Sequence, residues 1–211
     1  MKNIFYFILL AASASLMFSS CASVSGFEEG RALGEGGREM IVSANYISLP
    51  GSLDVLDDDD EIGLPSSFGF PNIDISYKQG LTDKLDVGGR ITTNLNAGAF
   101  VKYQLVGDDM SKFALGTGLE IASTLGILYN MQVPINTTYY VSDAVAINLA
   151  PRFIYQFAAG SFDSSITYLG GNFGLLFGRK NKFGLDIGYY NVSAGGNILT
   201  VGFGGKFRFG T

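Results

Sequence analysis

Apolar and polar side chains alternate along most of the chain after residue 37. Between residues 85 and 95 the alternation is strict. Leu85, Val87, Gly89, Ile91, Thr93 and Leu95 share one parity, and Asp86, Gly88, Arg90, Thr92 and Asn94 share the other. A period of two over that length predicts a β-strand, because a helix repeats near 3.6 residues. Just upstream, Ile73, Ile75 and Tyr77 oppose Asp74, Ser76 and Lys78, and a polar turn at 80–84 joins the two segments.

The same pattern divides residues 38–211 into about ten antiparallel strands, an even number as single-chain bacterial barrels require. The first covers 38–49, the second 72–79, the third begins at Leu85 and the fourth covers 97–106. Pro134 falls inside the sixth, where a missing N–H predicts a bulge or a break in the ladder. Connections after the second, fourth, sixth and eighth strands read as short and charged. Those after the first, fifth, seventh and ninth read as mostly longer, including 50–71 and 158–165. Short periplasmic turns and long external loops are the barrel pattern, so both termini are expected on the periplasmic side.

The two faces differ in character. One carries large aliphatic and aromatic residues on every strand. The other is crowded with small and amide side chains and holds scattered charges: Asp74, Lys78, Asp86, Arg90, Lys102, Glu120, Arg152, Asp186, Lys206 and Arg208. A solvated outer face would be richer in long charged side chains. Small residues with mixed charges suit a narrow lumen in which ions must pair. The expectation is an all-β, closed, antiparallel up-and-down transmembrane β-barrel at 38–211, its apolar face against membrane lipid and its ten charges forming a lumen network.

Composition agrees. Glycine accounts for 29 of 211 residues and charged residues for only 16%, against a usual charged share of about 25%. Mean hydropathy is +0.25, yet no apolar run beyond the N-terminus reaches the roughly 18–20 residues of a membrane helix. The net charge of −5 carries no argument for nucleic acid as a partner.

Lys2, an apolar run from Ile4 to Phe18, and Ser19-Ser20-Cys21 predict a signal peptide over 1–20. Cys21, the only cysteine, lies where a lipoprotein signal places its lipidated residue. Residues 21–37 are small, polar and glycine-rich and are expected to form a flexible lipidated tether.

Gly80-Leu81-Thr82-Asp83-Lys84-Leu85-Asp86-Val87-Gly88 and the terminal Gly204-Gly205-Lys206-Phe207-Arg208-Phe209 resemble the small bacterial outer-membrane β-barrel proteins. That resemblance implies outer-membrane localisation and a final-strand signal, Phe207 and Phe209, read by the barrel assembly machinery.

Histidine is absent, which removes the commonest general base and metal ligand. No enzyme, catalytic residue, metal site or cofactor is expected. The acidic run Asp57-Asp58-Asp59-Asp60-Glu61 offers carboxylates to divalent cations or to lipopolysaccharide bridged by them, but it lacks the glycine-punctuated spacing of a defined cation loop, and a solvated acidic loop is the favoured reading. The function expected is a structural or surface-interaction role in the outer membrane. A narrow diffusion channel for small ions or solutes is the second expectation. A soluble periplasmic β-barrel lipoprotein binding an apolar ligand is the third.

Overall fold

The computed structural model describes residues 25–50 and 67–209. Ten strands follow one another: β1 (Arg38–Pro50), β2 (Ser67–Gly80), β3 (Leu85–Thr92), β4 (Asn96–Val106), β5 (Phe113–Thr124), β6 (Leu128–Ser142), β7 (Val145–Ala158), β8 (Ser161–Phe177), β9 (Lys182–Val192) and β10 (Asn197–Phe209). Each pairs antiparallel with its neighbours in sequence, and β1 pairs with β10 from Arg38↔Phe209 to Ser48↔Leu199. The sheet is therefore a closed up-and-down barrel. Closure leaves no sheet edge, so ladder groups find partners without help from water.

Side-chain parity is inverted relative to a water-soluble barrel. Ile187 is 54% exposed and Phe203 62%, whereas Lys78 and Lys206 are each 1% exposed. Aliphatic residues such as Ile75, Ile91, Ile121, Leu185 and Val201 occupy the middle of the outer face. Aromatic rings ring its two ends. Tyr77, Tyr103, Phe113, Tyr139, Phe177 and Phe183 stand at one end, and Tyr46 and Tyr189 at the other. There Phe157 also stacks on Tyr129, with ring centroids 5.7 Å apart.

Pro134 interrupts hydrogen bonding without shifting register. The β6–β7 ladder runs Pro134↔Arg152 and resumes at Thr137↔Leu149 on the same alignment. The Thr117 hydroxyl donates to the Pro134 carbonyl at 2.9 Å, a side-chain bond in the stretch where β5 and β6 lack ladder pairs. Thr117→Val is expected to cost about 0.5–1.5 kcal/mol, measured by denaturant unfolding of the barrel. Bulges lie elsewhere, at Gln104/Val106, Tyr140/Ser142 and Phe157/Ala158.

Connection lengths depart from the expectation. The segment 158–165, expected as a loop, is mostly strand: β7 ends at Ala158 and β8 begins at Ser161, with a bulge between the Phe157↔Ser165 and Ala158↔Ser161 pairs. The connections 93–95, 125–127, 159–160 and 193–196 at one end are no longer than 81–84, 107–112, 143–144 and 178–181 at the other. At the 159–160 connection the strands run on past their last large residue. The remaining connection, with the acidic run 57–61, lies outside the described residues, as does Cys21. Loop length among the described residues thus gives no orientation. In the 107–112 turn Asp108 accepts from the Ser111 hydroxyl and the Met110 N–H, and these bonds hold its carboxyl below the usual range.

Candidate functional site

The lumen is filled by the chain's own N-terminal segment. Residues 25–30 are all buried, and the burial fades only from Arg31 outward. The segment enters at the end of the barrel where β1 starts. The Gly36 N–H bonds the Gly80 carbonyl at 3.0 Å, and the Gly80 N–H bonds the Gly37 carbonyl at 2.8 Å. A side chain at Gly80 would collide with the Gly34 carbonyl oxygen. Inside, wall side chains take the place of a ladder. Leu33 N–H donates to Asp86 at 2.9 Å, Ala32 N–H to Gln104 at 2.6 Å, Gly30 N–H to Thr138 at 2.9 Å, and Gly26 N–H to Asp186 at 3.1 Å. Arg152 donates to the Ser25 carbonyl at 3.0 Å, near the middle of β7. Buried backbone needs such partners, and the amide and carboxylate side chains of the lumen supply them.

The expected flexible tether is, from residue 25, a packed plug. Glycine-rich composition fits both states. Here the missing side chains let the backbone pass through a narrow bore. Phe27, 1% exposed, anchors it among Ile41, Ala146 and Leu176. Its ring lies against Gly184 and Gly204, where a Cβ would stand only 3.2 and 3.1 Å from ring carbons.

Electrostatically the plug completes the wall. Glu28 lies 2.6 Å from Lys78 and 3.9 Å from Lys102. Glu29 bonds Lys182 with one oxygen and reaches Lys206 at 2.6 Å with the other. Around them Glu39 pairs with Lys78 at 2.9 Å, Lys206 at 3.3 Å and Arg208 at 3.1 Å, and Asp86 pairs with Lys102 at 2.9 Å. Deeper in, Arg90 sits 3.5 Å from Asp74 and 3.0 Å from Glu120. Asp86 and Arg90, neighbours in sequence parity, therefore serve different partners.

Farther from the entrance than Ser25, the first described residue, the lining of the bore changes character. Ile47, Ile154, Tyr168, Tyr190 and Ile198 form a buried apolar cluster, with Phe70, Ile166 and Val192 against it. Tyr190 donates from its hydroxyl to Asn172, whose amide in turn reaches Asp186 at 2.6 Å. Between the plug and the β4–β6 wall a cavity of about 20 Å³ touches Glu28, Arg90, Lys102, Glu120 and Arg152, room for about one water. A second hollow, about 380 Å³, lies beside Leu149, Pro151, Gly171 and Phe173.

Of the sequence-derived charges, Asp74, Lys78, Asp86, Arg90, Lys102, Glu120, Arg152, Asp186 and Lys206 are buried in the lumen. Arg208 lies partly exposed at its mouth, its side chain 32% accessible. Arg152 and Asp186 also contact the plug backbone, at the Ser25 carbonyl and the Gly26 N–H. Sequence reasoning missed Glu28, Glu29, Glu39 and Lys182. A signal for them existed: the ten expected charges comprise six bases and four acids, a surplus of cations that a closed lumen cannot hold unpaired. Phe207 and Phe209 end β10 on the outer side, Phe207 edge-on to Phe183 at 5.9 Å.

No family model matches the sequence, and no curated protein matches it. Similar solved structures include an outer-membrane channel of Pseudomonas putida F1, at 12% identity and TM-score 0.48, covering 89% of this chain and 100% of that one. The attachment invasion locus protein of Yersinia pestis aligns at 13% identity and TM-score 0.36, covering 83% of this chain and 99% of that one. The outer membrane protein Omp33 of Acinetobacter baumannii aligns at 14% identity and TM-score 0.35, covering 84% and 100%. These likenesses are of shape and assign no role.

Proposed function

We propose that this chain is a plugged outer-membrane β-barrel with a structural or surface-interaction role. The single observation behind the proposal is the inverted parity: a continuous apolar outer face with aromatic ends around a buried, ion-paired interior. Exposed apolar surface on that scale is costly in water and ordinary in lipid. The strands, most of them longer than ten residues, meet the roughly 9–11 residues that a tilted strand needs to span the hydrocarbon.

A catalytic role has little to build on, since Glu28, Glu29, Glu39 and Asp86 are each committed to lysine or arginine partners. The diffusion-channel alternative requires a bore, and the plug occupies it. In planar bilayers the full mature chain is expected to give no reproducible single-channel steps. Regular steps at modest voltage would overturn the plugged reading in favour of the channel. The lipid anchor at Cys21 belongs to the same proposal. Labelling with a radioactive fatty acid is expected in the wild-type protein and lost in Cys21→Ala, and label retained in that variant would remove the anchor from the account.

A further inference from the structure

We infer that the plugged half of the lumen is an anion-binding site whose present occupants are the carboxylates of Glu28 and Glu29, and that a small oxyanion takes the site when they leave it. The inference rests on the plugged-barrel reading. Lys78, Lys102, Lys182 and Lys206 converge on these two carboxylates. The wall's own acids there, Glu39 and Asp86, are shared among Lys78, Lys206, Arg208 and Lys102. Counted over the lumen, the wall carries seven bases, the six expected ones and Lys182, against five acids, the four expected ones and Glu39. The surplus of two equals the charge that Glu28 and Glu29 bring.

Those carboxylates stand on a segment that is not part of the barrel ladder. No strand is assigned to residues 25–37, and side chains make most of their hydrogen bonds to the wall. The segment joins β1 through Gly34 and Gly36, with φ of 80° and 76° and open space where their side chains would be. Such a joint allows the plug to move without breaking the sheet. With the carboxylates gone, the lysines present mobile point-charge donors, the type of group that binds phosphate without demanding bidentate geometry.

The test uses the full mature chain folded in detergent, with inorganic phosphate as probe and ionic strength held constant with chloride. Barrel unfolding is followed by loss of the compact, fast-migrating band on heating. Glu28→Ala/Glu29→Ala is expected to unfold at lower temperature than wild type and to recover several degrees along a saturable phosphate curve. Wild type is expected to show no such response, and adding Lys206→Gln to the double variant is expected to abolish it. No phosphate-specific shift, or an equal shift in wild type or in the Lys206→Gln background, overturns the inference. If the double variant fails to fold, Glu28→Ala alone removes the plug carboxylate that Lys78 and Lys102 share, with Lys102→Gln as its control. Failure of both to fold makes the carboxylates obligatory parts of the wall and overturns the inference as well. The wild-type band separates the two levels: without a heat-dependent shift in wild type the barrel reading falls, and with one only the anion site is at stake.

Discussion

Replacing Glu29 with alanine is expected to destabilise the folded barrel by about 3–5 kcal/mol, the cost of leaving buried cations without their partner. Glu29 is 1% exposed, and its two oxygens serve different ammonium groups, Lys182 and Lys206. Glu39 remains beside Lys206 at 3.3 Å, but Lys182 has no other ion partner among the described residues. Glu29→Gln keeps the volume and removes the charge, so it should share most of the loss. Glu35→Gln is the control: it lies exposed on the same segment and should change stability by no more than about 0.5 kcal/mol. Guanidinium unfolding in lipid vesicles measures all three. A loss below about 1 kcal/mol for Glu29→Ala would mean that the segment is not seated in the lumen.

The second large effect is expected at Ile187, placed mid-strand in β9 and 54% exposed on the outer face. Ile187→Arg should cost about 2–4 kcal/mol, the figure for an arginine facing lipid at the bilayer midplane. Were that face in water, an arginine at a half-exposed strand position would fall within about 0.5 kcal/mol of wild type. The two media thus differ in outcome by more than the error of a vesicle titration. Arginine placed near a strand end, where headgroups lie within reach, should cost about 0–1 kcal/mol, so a depth series along the outer face would trace the hydrocarbon layer.

Much of the barrel was legible because period-two alternation is a local property. Leu85 to Thr92 declares its strand and its two faces with no knowledge of partners, although the alternation runs on to Leu95 through the connection 93–95, and nine of the ten expected charges are buried in the bore. What stayed hidden depends on long-range packing. Glu28 and Glu29 meet lysines 50 to 177 positions away, and a segment without periodicity gives no hint of such contacts. Its glycines point equally to a linker and to a backbone squeezed between walls. By sequence Lys182 belongs to the short charged connection after the eighth strand, because the apolar run of β9 begins one residue later. The apolar cluster at Ile47, Ile154 and Ile198 was invisible for a different reason. These residues share the inward parity of polar neighbours, and only closure of the sheet brings them together. Loop length misled where extended strand outran hydrophobicity, at 161–165.

The most direct test of an apolar outer face around a plugged core is where the chain from residue 21 onward folds. Purified from denaturant, it should fold into detergent micelles or lipid vesicles as a compact band whose mobility shifts on boiling, and it should aggregate in buffer without either. A folded, monodisperse protein in detergent-free buffer would contradict the account, because the outer face described here could not then be facing lipid.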